Sequence, residues 1–163
     1  MPNKIKLDRT DCEILAELQK NARLSNKELA TRIGLAESTS LERVRGLVTD
    51  GVLRGYHAEV DPGALGIGLE AMIAIRIAKH SRELIEDFRG HTAVLPEVVA
   101  TYHVGGANDF LVHVAVRDAE HLRTVVLESF STRPEVVHIE TSLVFEHEYR
   151  WELPNYACPV ESR

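Results

Sequence analysis

The chain has 163 residues, 44% of them hydrophobic, and a formal net charge of −6. That is enough apolar side chain to bury a proper core, most naturally two small ones. No run of about 18 apolar residues occurs and the N-terminus has no apolar signal core, so a soluble, cytoplasmic chain without a membrane span or secretory leader is the expectation.

From the N-terminus, Asp8 to Asn21 predicts a helix with Cys12, Ile14, Leu15 and Leu18 turned inward. Cys12 reads as a small buried hydrophobe, and with the distant Cys158 it forms neither a disulfide framework nor a metal spacing. Ser25 and Glu28 have capping-box spacing: the Ser25 hydroxyl accepts from the Glu28 amide while the carboxylate reaches back to the Ser25 amide, so a second helix starts there. Leu29, Ala30 and Ile33 follow on one face, and Gly34 supplies the positive φ that ends the helix in a sharp turn. A third helix begins near Glu37 or Ser38, with Leu41, Val44, Leu47 and Val48 on one stripe and Ser38, Ser40, Arg43 and Arg45 largely off it. Gly51 to Tyr56 then reads as a strand-like wing.

These parts make a winged helix-turn-helix, the arrangement that lays a helix into the DNA major groove. Small hydroxyls near the helix start can approach bases or phosphates, and arginines neutralise backbone charge. Ser38, Thr39, Ser40, Arg43 and Arg45, with Arg54 in the wing, are therefore the candidate DNA contacts. For this helix alone, an ordinary amphipathic surface helix with two arginines is the alternative. Residues 1–60 carry 10 Lys+Arg against 9 Asp+Glu, and residues 61–163 carry 9 against 16, so the acid lies away from the proposed reader. A near-neutral reader binds phosphate weakly per copy, and several linked copies must act together.

Residues 56–68 read as a linker with a turn at Asp61-Pro62-Gly63, in which His57 to Val60 alternate as a strand able to pair with its copy in a second subunit. Pro96-Glu97-Val98-Val99 then recurs as Pro134-Glu135-Val136-Val137. Each copy enters a strand preceded by a helix and, before that, another strand. The predicted strands are Leu69 to Ala78, Val98 to Val104, Asp109 to Arg117 and Val136 to Phe145; the helices are Ser81 to Thr92 and Asp118 to Ser131. The order βαββαβ predicts a ferredoxin-like sheet with both helices on one face. Met72, Ala74, Leu111 and Ala115 fall on the other face, where apolar residues imply a partner sheet; a contact within one chain is the alternative.

The segments Asn21-Ala22-Arg23-Leu24-Ser25, Glu28-Leu29-Ala30, Asp50 to Tyr56 and Asp61-Pro62, followed by Tyr102, Gly106, Asp109-Phe110-Leu111 and the Pro-Glu-Val-Val repeat, resemble the Lrp/AsnC (feast/famine) transcriptional regulators in order and spacing. The resemblance covers roughly residues 5–150. It implies an α+β protein: a winged helix-turn-helix over residues 1–55, a linker strand over 56–68, a ferredoxin-like (RAM-type) effector-binding and oligomerisation domain over 69–149, and a tail over 150–163. It also implies a double-stranded DNA operator, a homodimer joined sheet to sheet and commonly assembled into an octamer, no enzymatic activity and no cofactor.

The loop Gly105-Gly106-Ala107-Asn108-Asp109 reads on geometry alone as a hairpin turn. The resemblance makes it part of a site for a free amino acid or related metabolite, with glycine-freed amides for the carboxylate, Asp109 for the ammonium, and Tyr102, Thr141 and Ser142 nearby. The sequence departs from the family where Ala107 replaces a frequent acidic residue, Ala36 a serine cap, and Glu42 and Gly46 basic residues. Thr39 and Glu42 repeat capping-box spacing, so Thr39 is expected to take over the cap and start the helix later.

None of the eight histidines stands at a zinc spacing; His103 and His113 fall on opposite sheet faces, and no metal site is expected. In the tail, Pro154 and Pro159 predict irregular chain; Trp151 and Tyr156 either anchor it to a neighbouring subunit or leave it disordered. Two other functions stay open: an architectural DNA-binding protein without an effector, and a ferredoxin-like small-molecule binder with a vestigial helix-turn-helix.

Overall fold

The computed structural model describes residues 6–79 and 81–158. They form two compact units: residues up to Glu59 pack with the segment from Glu148 onward, and Val60–His147 form the second. The tail, expected to anchor on a neighbouring subunit or to be disordered, thus groups with the helical unit of its own chain. Pro159 lies outside the described residues.

The helical unit contains α1 (Arg9–Lys20), α2 (Asn26–Ile33) and α3 (Glu37–Thr49). Asp8 caps α1 in a reciprocal box: the Asp11 amide donates to Asp8 Oδ1 at 2.9 Å and the Asp8 amide to Asp11 Oδ2 at 3.1 Å. The Ser25–Glu28 box forms as predicted, with the Glu28 amide donating to Ser25 Oγ at 3.2 Å and the Ser25 amide to Glu28 Oε2 at 2.8 Å. Gly34 closes α2 at φ +68°. Ile14, Leu18, Leu29 and Leu47 make the core, ringed by Leu15, Leu24, Ile33 and Val44 among others.

Three expectations fail here. The Thr39 cap does not form: α3 begins at Glu37 after an uncapped Ala36, because the Ser40 amide already bonds to the Ala36 carbonyl and Asn26 Nδ2 donates to the Glu37 carbonyl at 2.7 Å. The wing is no hairpin either. Beyond Gly51 the Val52 and Leu53 amides both donate to the Leu47 carbonyl, Val52 and Leu53 pack on the core, and residues 54–60 find no second strand among the described residues. Finally, Cys12 and Cys158 are joined by a disulfide across 146 residues, with Cα atoms 6.2 Å apart. Sequence distance gave no hint that the tail returns to α1.

The second unit is the predicted βαββαβ fold. Its elements are β1 (Leu69–Ile77), α4 (Arg82–Ala93), β2 (Val98–His103), β3 (Phe110–Val116), α5 (Ala119–Val125), which continues as a π-helical turn over Val126–Ser131, and β4 (Val136–Val144). The strands lie in the order β2-β3-β1-β4, every neighbouring pair antiparallel. The repeated Pro-Glu-Val-Val enters its strand through the same turn twice, the Val98 amide donating to Leu95 and the Val136 amide to Arg133. Phe88, Leu122, Val125 and Phe130 of the helical layer pack against Ala71, Ile73, Ile75, Phe110, Val112 and Val114. A fully buried side chain of this kind stabilises by about 1.5–3 kcal/mol.

That packing uses one sheet face. Met72 pairs with His113 and Ala74 with Leu111 on the other face, as the alternation predicts, and among the described residues of this unit the helices pack on the opposite face.

Candidate nucleic-acid interface and effector site

On α3 the buried row is Ser40 and Leu47 with half-buried Val44, whereas Leu41 and Val48 are 38% and 49% exposed. The core stripe keeps Val44 and Leu47 of the predicted row, takes Ser40 in place of Leu41 and leaves Val48 outside. Ser40 is fully buried and cannot touch DNA, which removes it from the candidate contacts; its Oγ has no partner among the described residues. Ser38, Thr39 and Arg45 are exposed on α3, and Arg54 is exposed beyond it. At 100° per residue Ser38, Glu42, Arg45 and Thr49 form the row opposite the core.

Arg43 occupies a different position. Its guanidinium is one-third exposed and donates from Nη1 to Asp8 Oδ2 at 2.7 Å and Asp11 Oδ1 at 2.9 Å. The Asp11 backbone bond, then Arg43, hold the Asp8 carboxyl below the usual carboxylate range; Asp8 and then Asp11 push Arg43 further up. The clamp had a signal in the sequence, two aspartates three apart before an apolar run, but nothing there says which arginine they hold. Other basic residues of the unit are also spent on acids: Arg32 on Glu17 at 2.9 Å and Arg9 on Glu13 at 3.0 Å.

In the sheet unit, Gly105, Gly106 and Ala107 are exposed and Asn108 is half-buried; Gly106 takes φ +140°, a conformation side chains rarely adopt. Asp109 lies inside. It is 7% exposed, and its Oδ2 accepts the Ile77 amide at 2.8 Å where β1 shifts register against β4. An ammonium at this carboxylate must share it with that bond. Tyr102 is 46% exposed on β2, whereas Thr141 and Ser142 are on β4, at the far edge of the sheet. Three strand spacings separate those edges, about 14 Å. Within one chain the structure thus groups Tyr102 with the loop and leaves Thr141 and Ser142 apart from them.

A cluster not foreseen from the sequence lies on the uncovered face. His113 is buried, its Nε2 bonded to Glu70 Oε2 at 2.7 Å, with His147 Nδ1 3.8 Å from the same oxygen. Among the described residues no group of three or more His, Cys, Asp or Glu has the geometry to hold a metal ion. No helix among them is long and apolar enough to cross a membrane.

Comparison with known proteins matches these two halves separately. The AsnC-type helix-turn-helix domain covers residues 7–48 and the Lrp/AsnC ligand binding domain covers residues 70–150. The transcriptional regulator AldR of Mycolicibacterium smegmatis is 42% identical over 141 residues, spanning 86% of this chain and 82% of the relative. The leucine-responsive regulatory protein of Escherichia coli is 35% identical over 140 residues, spanning 86% and 85%. A transcriptional regulator of Neisseria meningitidis, solved as its L-Met complex, superposes with a TM-score of 0.83 at 32% identity, covering 91% of this chain and 96% of that one. With a helix-turn-helix unit, a four-stranded βαββαβ unit and both family domains in register, the chain belongs to the Lrp/AsnC family of transcriptional regulators.

Proposed function

We propose that this regulator reads operator DNA with the exposed side chains Ser38, Thr39 and Arg45 of α3, assisted by Arg54, while Arg43 holds α3 in place. The observation that carries this is the contrast between two arginines on one helix: Arg43 is bound to Asp8 and Asp11, whereas Arg45 is exposed on the side away from the core. Heads act in pairs, because the helix-turn-helix reads half-sites about one helical turn apart. The pairing surface is the uncovered sheet face, giving a homodimer and from it an octamer, with the chain in the cytoplasm and without a catalytic role.

The effector is an amino acid or related metabolite. It is held between subunits by the amides of Gly105, Gly106, Ala107 and Asn108, by Asp109 and by Tyr102, with Thr141 and Ser142 supplied by another copy. The 14 Å between sheet edges supports a site shared between copies, and the L-Met complex of the Neisseria relative supports the ligand class. Its effect on DNA requires different affinities for two assembly states. A gel shift with the upstream DNA of its own gene, titrated with the twenty amino acids, tests this: retardation that one amino acid changes supports it, and no retardation at low salt contradicts it. An architectural protein without effector is the second reading, favoured by the inward Asp109 carboxylate and by Ala107; it predicts retardation that no amino acid alters.

A further inference from the structure

We infer that Cys12 and Cys158 form a reversible thiol–disulfide latch that fastens the C-terminal tail onto the DNA-binding head. The tail is led to this position by contacts that do not involve sulfur. Trp151 lines a cavity of about 310 Å³ with Leu15, Leu18, Gln19 and Tyr56, and the Leu153 amide donates to Gln19 Oε1 at 2.7 Å. Asn155 Oδ1 then accepts the Ala157 and Cys158 amides at 3.0 and 3.2 Å, turning the chain so that Cys158 meets Cys12. The tail thus runs back along α1 from Gln19 near its C-terminal end to Cys12 in its early turns. The 6.2 Å between the two Cα atoms is within the span a disulfide bridges without moving backbone.

Reversibility follows from where such a regulator works and from exposure. A protein acting on DNA meets a reducing thiol pool, where disulfides are mostly transient and redox-sensing. Both cysteines are partly exposed and therefore reachable by small thiols and disulfides. With a low-molecular-weight disulfide such as glutathione disulfide as oxidant, the Cys158 thiolate attacks one of its sulfurs, forming a mixed disulfide and expelling one thiolate. The Cys12 thiolate then attacks the Cys158 sulfur, forms the bridge and expels the second. Two protein thiols lose two protons and two electrons, and the oxidant leaves as two thiols; reduction runs the same steps backwards. The chain leaves the helical unit after Glu59 and returns to it at Glu148, so the closed latch turns one covalent tether between the units into two. It acts beside Asp11, which holds Arg43 of α3.

The test uses the full chain equilibrated across ratios of reduced to oxidised glutathione, trapped by alkylation and digested with trypsin. The latch predicts a linked pair of the Thr10–Lys20 and Trp151–Arg163 peptides, recovered from the monomer band of a non-reducing denaturing gel and abolished by excess reduced glutathione. It also predicts that Cys12→Ser leaves Cys158 carrying glutathione and gives no linked pair. Cysteines that stay alkylatable or glutathione-capped at every ratio overturn the proposal, as does a link found only between chains or one that excess reduced glutathione does not open. A gel shift on the same reduced sample separates this outcome from failure of the DNA-binding reading.

Discussion

Arg43 of α3 donates to Asp11 of α1 at 2.9 Å, and the same nitrogen reaches Asp8 at 2.7 Å. An arginine placed where DNA contacts are sought thereby fixes the angle between α3 and the start of α1. Removing it by Arg43→Ala is expected to cost about 1 kcal/mol of stability in the helical unit, a charged hydrogen bond discounted for partial exposure. Urea unfolding followed at the helical unit measures this; a loss of DNA affinity with unchanged stability shows that Arg43 contacts DNA instead.

The clamp gives the helical unit a sensitivity to acid. Asp8 has a folded-state pKa lowered by the Asp11 backbone bond and then by Arg43, so its contribution is complete above the ordinary carboxylate range and is lost as pH falls through the folded value. Thermal melts are expected to drop on acidification in the wild type, and less steeply in Asp8→Asn. Parallel curves for the two proteins contradict this.

Ser40 carries the opposite expectation. Its hydroxyl is fully buried and unpartnered among the described residues, so Ser40→Ala removes a desolvated polar group and raises stability, by up to about 1 kcal/mol, without weakening DNA binding. A melt and a gel shift on one variant check both halves.

Asp109 serves the sheet before any ligand. Asp109→Ala leaves the Ile77 amide without its acceptor and is expected to cost about 1–3 kcal/mol in urea unfolding of the sheet unit, while Asp109→Asn, whose amide oxygen still accepts, costs less. Equal stability of wild type and Asp109→Ala shows that the bond to Ile77 is dispensable.

The uncovered sheet face predicts an assembly defect. Leu111 is half-buried there beside Ala74, and Leu111→Glu places a charge where a partner sheet would sit. Sedimentation is expected to show a smaller species than the wild type, with unchanged circular dichroism. An unchanged sedimentation coefficient rules out this face as the dimer surface.

The sheet unit was legible because its signals are local: strands alternate at period two and the Pro-Glu-Val-Val turn is written twice, just as Ser25, Glu28 and Gly34 mark the ends of α2 in the helical unit. Its open face followed from the same alternation. Helix α3 was less legible, since a helical stripe read from sequence leaves its rotation uncertain by about one position. That margin was enough to exchange Leu41 for Ser40 in the core and to leave Arg43 facing Asp8 and Asp11. The wing failed because a strand exists only with a partner strand, and Arg54 to Val60 have none among the described residues. The Cys12–Cys158 bridge joins residues 146 apart, a separation over which no sequence pattern reports proximity.

The central claim, that Arg45 faces DNA while Arg43 holds the helix, is tested most directly by fluorescence anisotropy of labelled upstream DNA, titrated with wild type and Arg45→Glu over a range of salt. The prediction is weaker binding by Arg45→Glu, a salt slope shallower by about one for each head that binds, and a wild-type melting temperature. Equal affinity and equal slope for the two proteins would contradict it.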